Sequence, residues 1–534
     1  MAQTPPVPAL MTLPPAWRIG VALICLLWLF AGSLGHDPWR PDDAIHLGVA
    51  FGMGNGQWLI PRIAGDPWLT TPPLYHWLAA LCGWLFGWLL PWHDAARLAS
   101  PLLGLVFLAA LSASARRLAD SNAALIAPLL AIGTLGFLIP LHDANPAILA
   151  VVAYALALLG LARWRDKPLT GGAWLGIGIG IGFLGAGLDG LLAPLLTGLG
   201  VLCHPAWRRR GSLAAGLLAT AIALLLILPW PWLLQQHSPT LFALWWAAEI
   251  ENIALRGFTR AHLEMLLWAA WPVLPLALWQ LWLERRRLWQ APTFLPLLGA
   301  SLSLLIFFSI DARPEALLPA LAPLTLLAAN GSGRLRRGAA NAFDWFGRMT
   351  FSLIIALVWL GAYAMLTGTP ERIAKNFTKP APGFVADIPV AWLVLSGATT
   401  LIWLALLFRM PRSPWRATLR WGLGLTAMWV LLAMLWLPWI DYGKSYRGVS
   451  AEFSRLLGDR PGCIARRNLG LAQRASLDYF NGIRTLEGER AKSCRYLIQQ
   501  APPKSATALA GWKLLRETSR PGDKKERLRL YRRE

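Results

Sequence analysis

Charge is scarce in this chain. Only 15% of its 534 residues are Asp, Glu, Lys or Arg, against 56% hydrophobic residues and a mean hydropathy of +0.47. That balance excludes an ordinary soluble globular domain, which would leave far too much apolar surface in water. Acid is scarcer still, with 28 acidic against 50 basic side chains and a formal net charge of +22. The basic groups lie in short loops at the ends of apolar runs, where the positive-inside rule expects them, so no nucleic-acid partner is implied. Five cysteines carry little information by count. Cys25, Cys82 and Cys203 fall in or beside apolar segments and read as small buried hydrophobes. Cys463 and Cys494 lie in a polar tail and can pair only if it faces an oxidising compartment. The first apolar run, residues 19–34, lacks a small-x-small cleavage site and reads as a retained span. No repeat of solenoid period is present.

What the chain has instead is arginine, at regular intervals. Arg116 and Arg117, Arg163 with Arg165 and Lys167, Arg208 to Arg210, Arg285 to Arg287, Arg334 with Arg336 and Arg337, and Arg409 through Arg420 punctuate the apolar runs. After the first, those runs are 74–90, 98–115, 122–140, 145–162, 171–185, 188–202, 212–232, 265–283, 291–309, 315–330, 349–366, 389–408 and 421–440. If 74–90 crossed the membrane, Arg116, Arg117 and every later cluster would change sides. Taken as an interfacial segment anchored by tryptophans, it leaves all six clusters cytoplasmic beneath a cytoplasmic N-terminus. The expected architecture is a mainly α polytopic membrane protein with about 13 transmembrane helices. The pair 171–185 and 188–202 is either a tight hairpin or a broken helix. A membrane domain over residues 1–440 is followed by a small outer α/β domain over 441–534, whose last stretch from Arg520 is charged enough to fray.

This topology sorts the polar residues. Asp42 and Asp43 follow the first span, and Asp143 lies in a short outer loop. They are either acids of wet loops, Asp143 with a helix-capping option, or carboxylates held at one membrane face to take a proton or hold a divalent cation. Asp189 either lines a cavity or marks the turn of a hairpin. Arg62 is a surface arginine or a phosphate ligand. Arg256 and Arg260, with Glu249, Glu251 and His262, belong to a solvated amphipathic helix or to an anion site, and Arg313 pairs locally with Asp311 or reaches a phosphate.

At this point the pattern resembles the bacterial relatives of protein O-mannosyltransferases, and among them the branch that transfers aminoarabinose to lipid A. Asp42-Asp43 matches the family's acidic pair. Gly56-Gln57-Trp58-Leu59-Ile60-Pro61-Arg62 matches its Gly-Asp-Trp-x-x-Pro-Arg segment, and Thr71-Pro72-Pro73-Leu74-Tyr75-His76-Trp77 matches its Lys-Pro-Pro-Leu-x-Tyr-Trp segment. The likeness continues through Arg97-Leu98, Asp143, Pro229-Trp230 and Phe307-Phe308-Ser309 to Pro319, covering roughly residues 20–330. Three positions depart from it. Family lysines are replaced by Thr71 and Ala186, and a Ser-x-x-x-Lys-Leu-Pro-x-Tyr pattern has become Ser309-Ile310-Asp311-Ala312-Arg313-Pro314-Glu315-Ala316.

The resemblance implies a glycosyltransferase of the C superfamily in a bacterial inner membrane, with catalysis and the C-terminal domain on the periplasmic face. The donor it implies is a polyprenyl-phosphate sugar and the acceptor a lipid or glycan, with membrane lipids around a monomer. No cofactor is required, although the carboxylates could hold a divalent cation. Asp42 is then the principal acid-handling residue, Asp43 its neighbour, and Asp143 positions the acceptor or supports the transition state. Arg62, Tyr75, His142, Arg256, Arg260 and Arg313 are the candidate donor-phosphate or substrate ligands. The alternative is a non-catalytic binder or transporter of polyprenyl-linked or other anionic lipids.

Overall fold

The computed structural model describes residues 16–39, 41–459 and 462–534; Arg40 of the first outer loop lies outside them. Apolar runs without internal breakers form helices because the membrane leaves their backbone no other hydrogen-bond partner. The chain begins with α1 (Ala16–Phe30), then α2 (Asp42–Gly54), a two-residue hairpin of β1 (Arg62–Ile63) and β2 (Asp66–Pro67), α3 (Leu74–Phe86), α4 (Trp92–Arg97), α5 (Ala99–Leu118), α6 (Ser121–Ile132) and α7 (Ala147–Trp164). It continues through α8 (Pro168–Gly200), α9 (Ser212–Ile227), α10 (Pro229–His237), α11 (Pro239–Asn252), α12 (Arg260–Ala269), α13 (Val273–Leu283), α14 (Ala291–Ser309) and α15 (Pro314–Ser332). The last helices of the bundle are α16 (Arg337–Thr367), the short α17 (Glu371–Thr378), α18 (Val390–Arg409) and α19 (Arg416–Leu435).

Among the described residues eight helices are long and apolar enough to cross a membrane, or nine if α12 and α13, bent by 88°, form one span. The expected count of thirteen is not reached by that measure. A helix needs about 20 residues to cross, whereas α1 has 15 and α6 has 12. The segment expected at the interface is the 13-residue α3, also too short to cross.

Helix α8 settles the choice between hairpin and broken helix. Ala186 and Gly187 leave helical geometry, Gly187 with a φ of 62°. Beyond them the chain doubles back: Gly182 and Gly190 meet backbone to backbone, and the Leu175 side chain lies 3.0 Å from where a Cβ on Gly198 would stand. A Cβ on Gly187 would collide with the Glu249 carboxylate, so both space and backbone call for glycine there. The first arm then closes on α9 through Gly172 against Ala215 and Gly176 against Ala219, the small-residue contact by which membrane helices approach closely. Helix α7 is buried almost along its whole length and forms the centre of the bundle, whereas α18 fully buries only Ser396 and Trp403.

After α20 (Leu437–Lys444) and α21 (Arg447–Leu457) comes the small C-terminal domain. Its strands β3 (Ile464–Arg467), β4 (Tyr496–Ala501), β5 (Trp512–Thr518) and β6 (Arg527–Arg533) form one sheet in the order β3-β4-β6-β5, with α22 (Leu471–Asn481) between β3 and β4. Only β3 and β4 run parallel, the connection that a crossover helix permits. The charged end expected to fray is instead an inner strand. β6 pairs with both β4 and β5, burying Leu528, Leu530 and Tyr531, while Arg529 meets Glu517 at 2.6 Å. Cys463 and Cys494 form a disulfide. Cys25 and Cys82 are buried as expected, but Cys203 is exposed just past the end of α8.

The disulfide closes a separation of 31 residues, for which loop-closure entropy gives roughly 3–4 kcal/mol. Cys463→Ser should therefore lower the urea midpoint of the C-terminal domain's unfolding, followed by tryptophan fluorescence in detergent, and reductant should do the same to the native protein.

Candidate functional site

A buried ion pair organises the site. Arg97, at the end of α4, is fully enclosed and donates from Nε and Nη2 to both oxygens of Asp43 at 3.0 and 2.9 Å, and from Nη1 to Asp94 at 2.7 Å. The Asp43 oxygens also accept the Ala144 N–H at 2.9 Å and the Trp39 N–H at 3.1 Å. Burial alone would raise the Asp43 carboxyl, but the guanidinium charge and its hydrogen bonds hold it well below the ordinary carboxylate range. Asp43 is thus an occupied anion that draws the first outer loop, α2, α4 and the loop before α7 to one point.

The two acids beside it differ. Asp42 opens α2, half-buried, in the first turn where the helix dipole favours an anion. Its carboxyl is raised by burial and by the negative charges of Glu315 and Asp43. Asp143 is not the cap of α7; Asn145 fills that role, its Oδ1 accepting the Ala147 N–H at 2.9 Å. The Asp143 backbone is fixed by Ser100, which donates to its carbonyl at 2.7 Å and is itself bonded to the Tyr75 hydroxyl at 2.7 Å. Burial first, then the Asp43 charge, pushes the Asp143 carboxyl up to about 7, against which Arg97 and Lys444 pull.

Near these acids lies a small cleft, walled by the start of α7, the α8 hairpin tip, the end of α14 and the first turns of α15. Its surface is apolar at Ala150, Ala193, Ile306 and Pro319, with Asp189 and Glu315 as its acids. Asp189 therefore both lines a cavity and sits at the turn of a hairpin. Arg313 does not pair with Asp311; its Nη2 donates to Asp189 Oδ2 at 2.6 Å and to the Asn252 carbonyl at 3.1 Å. Asp189 Oδ1 and Arg313 Nε, both enclosed, are left without partners among the described residues. Beneath them Glu249 accepts the Leu188 N–H at 2.9 Å and the Trp245 indole at 3.1 Å.

The remaining candidates scatter. Tyr75 is buried under Asp143 as a support. His142 is enclosed between Trp28 and Trp429, its two ring nitrogens on the carbonyls of Leu138 and Trp28 at 2.5 and 2.6 Å, so it faces no cavity. Arg62 donates to the Gly65 carbonyl at 3.0 Å within the β1-β2 turn. Arg256 is exposed and paired with Glu251, and Arg260 is exposed and paired with Glu264 at 2.7 Å on its own helix. Of the candidate cations, Arg313 is the one bonded to an acid of the cleft wall, Asp189. Sequence reasoning missed Arg97 as the partner of Asp43, Glu315 as a cleft acid, and Asp37, Asp441, Lys444 and Arg447, which join the C-terminal segment to the first loop. Asp441 Oδ1 accepts the Asp37 N–H and the Trp39 indole N–H, each at 2.8 Å, and Arg447 binds both oxygens of Asp37. For Asp441, Lys444 and Arg447 the sequence signal was their position just past the last apolar run. Among the described residues no three His, Cys, Asp or Glu side chains converge as a metal site.

A family model described as dolichyl-phosphate-mannose-protein mannosyltransferase matches residues 70–233. The undecaprenyl phosphate-alpha-4-amino-4-deoxy-L-arabinose arabinosyl transferase of Pseudomonas aeruginosa is 30% identical over 439 residues, 77% of this chain and 75% of that protein. The enzyme of the same name from Serratia proteamaculans is 28% identical over 335 residues, 59% of each chain. In fold, the chain is similar to the crystal structure of ArnT from Cupriavidus metallidurans bound to undecaprenyl phosphate, with a TM-score of 0.69 at 19% identity over 97% of this chain and 98% of that one.

Two outcomes follow from the clamp and from Asp143. Arg97→Met should cost about 3–5 kcal/mol by leaving Asp43 buried without its counter-charge, read as a lowered thermal midpoint in lipid discs. Because the native Asp143 carboxyl holds its proton up to about 7 while an unfolded one releases it near 3.8, native stability should fall as pH climbs through that window. Asp143→Asn should flatten that part of the stability profile.

Proposed function

The chain belongs to the family of undecaprenyl phosphate-alpha-4-amino-4-deoxy-L-arabinose arabinosyl transferases, and on that premise we propose that it is an inverting glycosyltransferase that moves a sugar from a polyprenyl-phosphate donor to a lipid or glycan acceptor. The observation that carries the reading is the placement of Asp42 and Asp143, acids 101 positions apart (143 less 42), around one buried clamp beside an apolar cleft. A non-catalytic lipid binder has no use for two carboxyls held ready to take a proton.

The acceptor hydroxyl attacks the anomeric carbon, forming the new glycosidic bond as the bond to phosphate breaks with its electrons going to the phosphate oxygen. Asp42 takes the hydroxyl proton. Asp143 orients the acceptor, and Asp43 keeps both acids in register without touching substrate. Arg313, at the cleft rim, meets charge growing on the leaving phosphate, and the apolar cleft wall receives the first prenyl units. The product is the inverted glycoside and polyprenyl phosphate. The acids that do this belong to the chain itself.

Orientation and layout follow the same logic. The arginine clusters gather at the opposite helix ends, where Arg117 meets Asp166 at 3.5 Å and Arg334 meets Glu284 at 2.6 Å. With those ends cytoplasmic, the acids and the C-terminal domain over residues 441–534 face the periplasm of a bacterial inner membrane, which supports the disulfide. If α1, α6, α15, the bent α12-α13 pair and each arm of the α8 hairpin are membrane-embedded segments, with α3 at the interface, the count returns to thirteen.

The test is release of polyprenyl phosphate from a panel of polyprenyl-phosphate sugars by the protein in lipid, with an envelope extract as acceptor. Asp42→Asn should reduce turnover at least about a thousandfold and Asp143→Asn at least about tenfold, with both variants folded. Turnover unchanged in Asp42→Asn would remove Asp42 from the chemistry, and tight donor binding without turnover would favour the lipid-binding alternative.

A further inference from the structure

The transfer reading leaves a shortage of positive charge. Departure of a phosphate is eased by cations set in advance at its oxygens, and the cations near the cleft are engaged. Arg97 is bound by Asp43 and Asp94, Arg313 by Asp189, and Arg447 by Asp37. Arg256 and Arg260 pair with glutamates of their own neighbourhood. The positions at which the family resemblance places lysines are Thr71 and Ala186 in this chain.

Arg62 is turned onto the Gly65 carbonyl of its own hairpin, and Lys444 differs from all of these. Lys444, the last residue of α20, is exposed, and among the described residues no carboxylate lies within ion-pair distance of its Nζ. The Nζ instead stands 4.6 Å above the ring of Trp39, a contact that places an ammonium without neutralising it. Trp39 donates its backbone N–H to the same Asp43 carboxylate that holds Ala144, the neighbour of Asp143, so Lys444 and Asp143 are brought to one spot by a shared anchor. Its charge is near enough to oppose protonation of Asp143.

The backbone under Lys444 is pinned on both sides. Three residues earlier, Asp441 accepts from Asp37 and Trp39, and one residue later Ser445 donates to Asp37 Oδ2 at 2.5 Å. A lysine whose backbone and ring platform are both held has less freedom left to lose on binding an anion.

We propose that Lys444, carried in by the C-terminal segment and stacked on Trp39, is a second cation, in addition to the salt-bridged Arg313, that binds the phosphate of the polyprenyl donor beside Asp42 and Asp143. It is the donor phosphate and not an acceptor group that fits here. Attacking hydroxyl and leaving oxygen flank one carbon, so an ammonium anchored beside Asp42 and Asp143 lies within reach of the departing phosphate, and the donor and acceptor KM values tell the two sides apart. In the transfer step the ammonium neutralises the phosphate oxygen that receives the bonding electrons, and no proton need leave it. The inference rests on the transfer reading and deepens it by naming the group that reads the donor's head.

The experiment measures polyprenyl phosphate binding to the full-length protein in lipid discs, beside neutral polyprenol of the same chain length, for native protein, Lys444→Gln and Lys444→Arg. Losing one charge-assisted contact should weaken polyprenyl phosphate binding at least about tenfold in Lys444→Gln. Polyprenol binding and the thermal midpoint should stay at native values, and Lys444→Arg should recover most of the affinity. In turnover the same Lys444→Gln protein should lose kcat/KM for the donor while the acceptor KM holds. Native phosphate affinity in Lys444→Gln overturns the assignment, as does an equal loss for polyprenol, which would make Lys444 a tail contact. Either result leaves native transfer standing. A native protein that neither binds polyprenyl phosphate nor turns over any donor sinks the transfer reading itself and the role of Lys444 with it.

Discussion

Everything on the catalytic face depends on one buried ion pair. Arg97 and Asp43 satisfy each other inside the protein, and the remaining capacity of each is spent on the Asp94 carboxylate and on backbone groups at Ser33, Trp39 and Ala144. Such a pair adds little net stability, because removing both ions from water costs about what their attraction returns. Its effect is positional. The pair is satisfied only when the first outer loop, the α4 end and the loop before α7 meet in a single arrangement, and that arrangement sets Asp42 and Asp143 side by side.

The same economy governs how the C-terminal domain is attached. It meets the membrane part through charged groups that would be costly if left unpaired: Asp37 with Arg447, Asp441 with the backbone of Asp37, and Asp66 with Arg466 and Arg474. Close packing completes the seam, with Ala475 of α22 directly over Gly48 of α2. A segment held in this way shapes the candidate site, since Trp39 donates its indole N–H to Asp441 and carries the Lys444 ammonium over its ring. The loop that bears Asp42 is therefore shaped from both sides.

Much of the fold was legible beforehand because membrane insertion is a composition rule. Apolar runs, arginine-rich ends and a polar tail foretold a helical bundle, a shared face for Asp42 and Asp143 and a small α/β domain. Span number was less legible, because hydropathy does not say where Gly187 turns a chain back or where a proline bends α12 from α13. The fraying expected from Arg520 onward failed for a related reason. Arg529 and Arg532 look solvated in one dimension, yet β6 lies between two partner strands, where Leu528 and Leu530 fill the core and Glu517 takes the Arg529 charge.

The sequence by itself determined where the chain is apolar, where its basic loops lie and which residue types stand at which intervals, because each of these is a property of neighbouring residues. Only the tertiary structure decided which charges are spent and which remain. Arg97 and Asp43 are 54 positions apart, Arg313 and Asp189 are 124 apart, and Asp37 and Asp441 are 404 apart. A carboxylate enclosed by a guanidinium and two N–H groups is structural, whereas one enclosed by apolar walls and other acids is ready to take a proton. That difference lies in the partners a long chain brings back to one place, which no local pattern records.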